Sequence, residues 1–398
     1  MTVRLSPSSD TSEHPLGLLP HSKVLNVGYR TGPNGDLTTL GQSVADKVYE
    51  IFAEEEALLA ELTSPATLSS ISQRLAPEVA AGISKRTTRS MKHASTYHLT
   101  FSLLTPSAYP ASWAIEDAAR RTLEPLLAAM SHVSNFTVDT QILTHAVLPP
   151  SIQPTYSEST GQWILNAETL GGFVNAAEWP LSPSIGVGPT MNFVLYVAPV
   201  DQSPLIVAGS STNSWIVPQW GGISILNTNK NAQSLSADDL EPVLLNFSSQ
   251  LLSLLGVPST PAESLPLRLS ILARLRAVSF VLSASSTLGS LARVVATLPN
   301  IPIPKTVAVA VDSTISHLSL ACAALQEGNF DVALQNAQKA DAEAEKAFFE
   351  RSMVGQVYFP DEHKVAVYLP LMGPMAVPLV LSALKELRPY IKGLRRKR

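Results

Sequence analysis

Cysteine is almost absent: Cys322 is the single one in 398 residues. That excludes an intramolecular disulfide, a CxxC redox pair and a thiolate zinc cluster. Charge is scarce as well, at 15% of the chain against about 25% in an ordinary soluble domain. Aromatic residues reach only 6%, so no platform for stacking bases stands out. A formal net charge of −4 argues against a nucleic-acid partner, which would require a basic stripe. The motifs HExxH, GxSxG, GxGxxG and GxxxxGKS/T are all missing, and with them the zincin, hydrolase, dinucleotide and P-loop chemistries. The eight histidines (14, 21, 93, 98, 132, 145, 317 and 363) do not fall at metal-ligand spacings. The sequence therefore names no catalytic residue, no metal site and no cofactor.

What is abundant is apolar material, 45% of the chain. That rules out a disordered polymer, and the length suffices for roughly two or three domains with real cores. The longest uncharged run, VAVYLPLMGPMAVPLVLSAL (365–384), would span about 30 Å as a helix, the thickness of a bilayer's hydrocarbon core. A buried core helix is the alternative. The tail that follows, KELRPYIKGLRRKR (385–398), holds seven basic residues against Glu386 alone, leaving 21 basic and 31 acidic residues in the preceding body. An apolar run closed by a basic cluster is a membrane signature, with the basic side expected in the cytoplasm. Pro370, Pro374 and Pro378 recur every four residues and would share one stripe of that helix. Each removes a backbone donor, so the span is expected to pack against other membrane helices that satisfy the freed carbonyls; a lipid-exposed, merely kinked anchor is the alternative.

Orientation raises a difficulty. A cytoplasmic tail places the body on the lumenal side, yet the first residues, MTVRLSPSSDTSEHPLGLLP, lack the charged and apolar regions of a signal peptide. As written, the chain reads as a tail-anchored protein with a cytosolic domain. Two glycosylation sequons, at Asn135 and Asn246, speak weakly for the lumen.

Periodicity predicts a helix over 39–62, a strand over 97–104, and a helix over 112–131 capped by Ser112. Strands follow at 135–143, 162–165, 191–198 and 223–226. After Asn231 the pattern turns helical: a helix led in by Ser236 and ending near Leu255, then stretches at 263–297, 305–327 and 330–351. The last two are separated by Gly328-Asn329, a helix stop. The expected architecture is an α/β (α+β) region over 1–230, a helical region over 231–357, one transmembrane helix over 365–384 and a basic tail over 385–398.

Glu54, Glu55 and Glu56 read as a solvated helix face rather than a paired-carboxylate site. Cys322, in the apolar run LSLACAAL, reads as a buried inert thiol; His317 lies five residues before it, about 140° round a helix, so the two do not meet. His93 and His98 read as structural. In WIVPQWGGISIL (215–226) a Trp-Gly-Gly turn would let backbone approach another surface closely, with Trp220 either anchoring a partner or folded onto its own core. The residues leave both open.

Several stretches, taken in order, resemble one family: YHLTFSLL (97–104), the helix from Trp113 with IEDAARR, NFTVDTQIL (135–143), MNFVLYVAP (191–199), PQWGGI (218–223), AFF (347–349) and, most specifically, YFPDEHKVAVYLPLMGPMAVPLV (358–380). The family is the PIG-S subunit of the glycosylphosphatidylinositol (GPI) transamidase. The resemblance implies a non-catalytic subunit of the endoplasmic-reticulum membrane complex that removes a C-terminal signal peptide from a precursor protein and joins the new carboxyl end to the ethanolamine of a GPI lipid. It implies a lumenal body, a cytoplasmic tail, a catalytic cysteine and histidine in the PIG-K subunit, and GPAA, PIG-T and PIG-U as further partners. Candidate subunit contacts are then Trp220, Gly221, Gly222, Pro370, Pro374 and Pro378, and the candidate glycosylation sites Asn135 and Asn246. Members carry an N-terminal membrane helix ahead of the lumenal domain, so the chain is expected to start inside that domain, at the strand TVRLSP, as a truncated product or gene model. A lumenal enzyme with a C-terminal anchor and a cytosolic tail-anchored adaptor are the competing readings.

Overall fold

The computed structural model describes residues 1–7, 16–29, 37–63, 90–146, 148, 152–166, 170, 188–228, 233–259, 261, 264–297, 303–351, 353 and 361–395. The chain is mixed α/β and divides into two compact units, residues 1–279 with 328–334 and residues 280–327 with 335–398.

The strands are β1 (Thr2–Pro7), β2 (Leu16–Leu18), β3 (Val24–Tyr29), β4 (Thr96–Leu104), β5 (Ser112–Trp113), β6 (Asn135–Leu143), β7 (Thr155–Ser157), β8 (Gln162–Leu165), β9 (Thr190–Val197), β10 (Leu205–Val207), β11 (Ser214–Val217), β12 (Gly221–Leu226) and β13 (Ser234–Leu235). The helices are α1 (Leu37–Thr63), α2 (Ile115–Thr122), α3 (Glu124–Met130), α4 (Ala237–Leu254), α5 (Leu265–Thr297), α6 (Lys305–Gln326), α7 (Phe330–Phe348) and α8 (Asp361–Arg395).

The first unit is organised by a five-stranded sheet in the order β11-β12-β9-β4-β6, parallel throughout except for β11. β4 (TYHLTFSLL) and β9 (TMNFVLYV) are buried on both faces; β9 accordingly reads as a nearly continuous apolar run from Phe193, whereas β4 alternates, with His98, Thr100 and Ser102 buried on its second face. Their register sets Phe101 opposite Phe193, with ring centroids 5.2 Å apart. Phe247 of α4 sits 5.3 Å from Phe193 and 6.0 Å from Phe101. That three-ring cluster seats α4 on one face of the sheet. On the other face Val194, Tyr196, Ile223 and Ile225 pack with Leu165, Leu205 and Val207, the inner residues of the small sheet β10-β8-β7.

α4 begins where its sequence says it should. Ser236 caps it by accepting from the Asp239 amide, and the Asp239 carboxylate accepts from the Ser236 amide at 3.0 Å, a reciprocal capping box. Ser112 does not cap a helix. It lies in β5, paired in parallel with β13, and α2 starts after Ala114 with no side-chain cap. Pairing with Ser234 and Leu235, distant in sequence, overrides the local capping preference. A third sheet, β1-β3-β2, contributes Leu25 and Val27 to a core shared with Leu40 and Ile51 of α1 and Leu267, Ile271 and Leu275 of α5.

In the second unit, helices pack through alanines. Ala284 of α5 meets Ala340 and Ala344 of α7, and small side chains permit close helix approach. Gly328, at φ 76°, supplies the left-handed residue that ends α6. His317 Nδ1 lies 3.0 Å from Asn336 Oδ1, bracing α6 to α7. Among the described residues two helices are long and apolar enough to cross a membrane: Lys305–Gln326, whose apolar window is 28% buried, and Ala366–Leu387, of which none is buried. Length and composition therefore admit a second candidate beside the C-terminal helix expected.

Replacing Phe247 with alanine removes the ring that both sheet phenylalanines contact. The expected cost is about 3–5 kcal/mol, read by denaturant unfolding of the first unit; a loss under about 1 kcal/mol would show that the cluster does not hold α4 in place.

Candidate functional site

Trp220, Gly221 and Gly222 lie together at the turn from β11 to β12. The turn itself is Pro218-Gln219-Trp220, closed by the Trp220 amide donating to the Val217 carbonyl at 3.2 Å, and Gln219 takes its left-handed position at φ 57°. The glycines are not in the turn. They open β12, paired with Asn192 and Phe193 of β9 on one side and with Val217 and Ile216 on the other. A Cβ on Gly221 would run into the Asn192 backbone carbonyl, and one on Gly222 into the side chain of Gln250. Gln250, buried on α4, reaches past Gly222 to donate to the Trp215 carbonyl at 3.1 Å. The close backbone approach that the glycines allow is thus to their own sheet and helix. Trp220 is half-buried against the core that includes Tyr196 and Ile223.

Pro370, Pro374 and Pro378 fall in α8, which continues unbroken from Asp361 to Arg395, and all three are exposed. They belong to the second unit, the tryptophan turn to the first. The sequons differ sharply. Asn135 is exposed at the start of β6, a strand paired only with β4 among the described residues. Asn246 is half-buried within α4, directly before Phe247, which is 2% exposed.

Two expectations fail. Glu54 and Glu55 are buried, at 7% and 1% exposure, and only Glu56 faces solvent. Glu55 pairs with Arg274 of α5, Oε1 to Nε 2.5 Å, and the Arg274 guanidinium also sits 5.5 Å over the Phe330 ring. Glu54 accepts from Ser259 Oγ at 3.1 Å. The helix packs on α5 here, and α5 brings arginines to meet the acids. The segment after α4 is tied down by the same helix: Arg268 Nε donates to the Pro258 carbonyl at 2.5 Å and Arg276 to the Leu255 carbonyl at 2.9 Å. Cys322 is exposed, because α6 buries Val307, Ala310, Thr314, Ala321 and Ala324 and the thiol lies off that stripe.

Burial pushes the Glu55 carboxyl up to about 7 against the opposing pull of Arg274. Burial, aided by the Arg276 charge, lowers His93 to about 4. His98 is buried, its Nδ1 2.5 Å from Thr137 Oγ1. Among the described residues no three His, Cys, Asp or Glu side chains gather to hold a metal ion. The buried Glu–Arg contacts were legible only indirectly: three acids amid Ile51, Leu58 and Leu59, and three arginines inside LPLRLSILARLRAV, are charges set in apolar surroundings, which implies partners.

Because the folded-state pKa of Glu55 lies above its unfolded value, its contribution to stability is full below about 4.5 and is lost as pH rises through about 7. His93 acts oppositely below about 6.5, so the test compares two proteins. Unfolding free energies of Glu55→Gln and the unchanged chain, measured from pH 5 to pH 8, are expected to diverge in favour of the variant as pH rises, by up to about 3 kcal/mol. A constant difference would exclude a raised Glu55 pKa.

The sequence matches the family model described as "Phosphatidylinositol-glycan biosynthesis class S protein" over residues 1–393. It is 34% identical over 323 residues to the cattle (Bos taurus) protein named "GPI-anchor transamidase component PIGS", covering 75% of this chain and 58% of that protein. The human protein of the same name is 33% identical over the same coverage. The fission yeast "GPI transamidase component PIG-S homolog" is 32% identical over 316 residues, covering 77% of this chain and 56% of its own length. The chain thus spans between half and two thirds of the length of these relatives. With the family model matched across nearly its whole length, the chain belongs to the PIG-S family.

Proposed function

We propose that the chain acts as a non-catalytic, membrane-anchored subunit of the GPI transamidase in the endoplasmic reticulum, where GPI anchors are joined to precursor proteins. The observation that carries this is the family match over residues 1–393, supported by relatives whose names make them components of that transamidase.

The anchor in this reading is the span 365–384 within α8. Its window Ala366–Leu387 has a mean hydropathy of 1.8 and none of it is buried, so some twenty apolar residues are left for lipid or for other helices. α6 is the weaker candidate, since part of its apolar window is taken up by packing within its own unit. The basic tail 385–398 would lie in the cytoplasm and the body, 1–357, in the lumen. The exposed stripe of Pro370, Pro374 and Pro378 would meet helices of the partner subunits PIG-K, PIG-T, PIG-U or GPAA, whose polar groups satisfy the carbonyls that proline leaves free. The half-buried Trp220 would offer its outer edge to a lumenal partner, with Gly221 and Gly222 fixing the turn behind it. Catalysis would belong to PIG-K; here Cys322 is exposed and His317 is engaged with Asn336, so the two do not form a nucleophile–base pair.

Affinity capture of the tagged full-length protein from mild detergent, followed by mass spectrometry, is expected to recover the cysteine-protease subunit and its companions in stoichiometric amounts. A variant with Pro370, Pro374 and Pro378 all replaced by leucine is expected to recover them poorly. Recovery of the folded protein alone would refute the reading, and unchanged capture by the proline variant would refute the role of the stripe.

Orientation has its own test. In a lumenal body, enzymatic removal of N-glycans shifts gel mobility and Asn135→Gln abolishes the shift. Asn246→Gln leaves it intact, because that asparagine is half-buried within α4. A protein that carries no glycan at Asn135 would contradict the assignment of this side to the lumen.

A further inference from the structure

The central sheet has a topological switch point, and it is open. From β4 the chain runs through α2 and α3 to β6 on one side; from β9 it runs to β11 and β12 on the other. Connections leaving the carboxyl ends of β4 and β9 therefore part in opposite directions. In open α/β sheets, that divergence leaves the crevice where ligands bind.

Two adjoining cavities occupy the crevice, of about 540 Å³ and about 560 Å³, within the range of small-ligand sites. Pro106, just past β4, and Pro199 and Asp201, just past β9, line both. The first adds Trp163, Gln153 and Gln202; the second adds Tyr109 and Thr228. Trp163 is half-buried and braced by Tyr156, whose ring lies 5.3 Å away at 57°. Tyr109 is 57% exposed.

The chemistry of the walls is selective. Neither cavity is lined by Lys, Arg or His among the described residues, so nothing there would hold a phosphate or carboxylate, while the one charged wall, Asp201, repels anions. The amides and the carboxylate are suited to neutral donors and acceptors. The two aromatic residues supply flat apolar faces. A peptide docking through its main chain would need a free strand edge, whereas the strand residues in these walls, Trp163 of β8 and Tyr196 and Val197 of β9, lie on strands paired on both sides.

We infer that the crevice at the carboxyl ends of β4 and β9 binds a neutral, hydroxyl-rich carbohydrate. Trp163 takes the C–H face of one sugar ring, and Asp201 with the flanking glutamines accepts and donates to its hydroxyls. The inference stands on the first unit alone and is independent of the assembly proposed above.

The test is saturation-transfer NMR and calorimetry on the full chain, held in a detergent without a sugar headgroup. The probes are maltotriose, mannotriose and chitotriose, with inorganic phosphate and a lysine-rich decapeptide as counter-probes. At least one trisaccharide is expected to bind with a dissociation constant of about 1 mM or tighter. Asp201→Asn and Trp163→Ala are each expected to weaken it about tenfold or more, and phosphate is expected not to compete. Asp201 is exposed, so its variant is expected to keep the parent melting temperature and isolates recognition from folding. Absence of binding by all three sugars at about 10 mM, binding that survives Asp201→Asn, or binding of the decapeptide alone would each overturn the inference.

Discussion

The parallel pairing of β4 with β9 is the constraint on which the first unit depends. Its register brings Phe101 opposite Phe193, and the stacked rings make the seat for Phe247 and hence for α4. α4 in turn sends Gln250 across to the Trp215 carbonyl, so β12 carries glycines where that side chain and the β9 backbone press closest. The same pair of strands is where chain order reverses, so one contact determines both the helix-covered face and the crevice at the carboxyl ends. A slip of one residue would turn every side chain of a strand to the opposite face and would dismantle both.

A second constraint is electrostatic. α5 carries arginines through an otherwise apolar stretch, and each has work within the fold: Arg268 and Arg276 hold carbonyls of the segment that leaves α4, and Arg274 meets Glu55. A buried ion pair is weak evidence for net stability, because desolvation of both partners opposes their attraction. Arg274 and Glu55 meet where α1 packs on α5, and burial there pushes the Glu55 carboxyl up to about 7.

Much of this architecture could be read in the sequence, for physical reasons that differ by element. β4, β6, β8 and β9 were found to within a residue or so of their ends because each is a run of β-branched, aromatic and leucine residues bounded by turn residues. α4 was legible from its cap, and the α6–α7 break from Gly328. Where the reading failed, a distant partner decided. Ser112 looked like a cap until β13 arrived from 122 residues away in sequence; Glu54 and Glu55 looked solvated until α5 covered them; Gly221 and Gly222 looked like turn residues until β9 required them in a strand. β3 escaped notice because Asn26 and Gly28 interrupt its apolar pattern. Cys322 was misplaced because an apolar neighbourhood in sequence does not say which side of a helix is covered. Of the candidate contacts, the prolines stood out in sequence by their four-residue repeat, whereas the tryptophan turn could be weighed only with its packing in view.

The functional account joins a family membership established across the chain to an apolar helix whose window is unburied among the described residues. Its central claim is that the protein is required when GPI anchors are attached, and the most direct measurement follows a reporter bearing a C-terminal GPI-attachment signal in cells depleted of this protein. The account predicts that the reporter keeps its uncleaved signal, stays in the endoplasmic reticulum and disappears from the cell surface, and that re-expression restores it. A reporter that is cleaved, anchored and displayed at normal levels after full depletion would contradict the account.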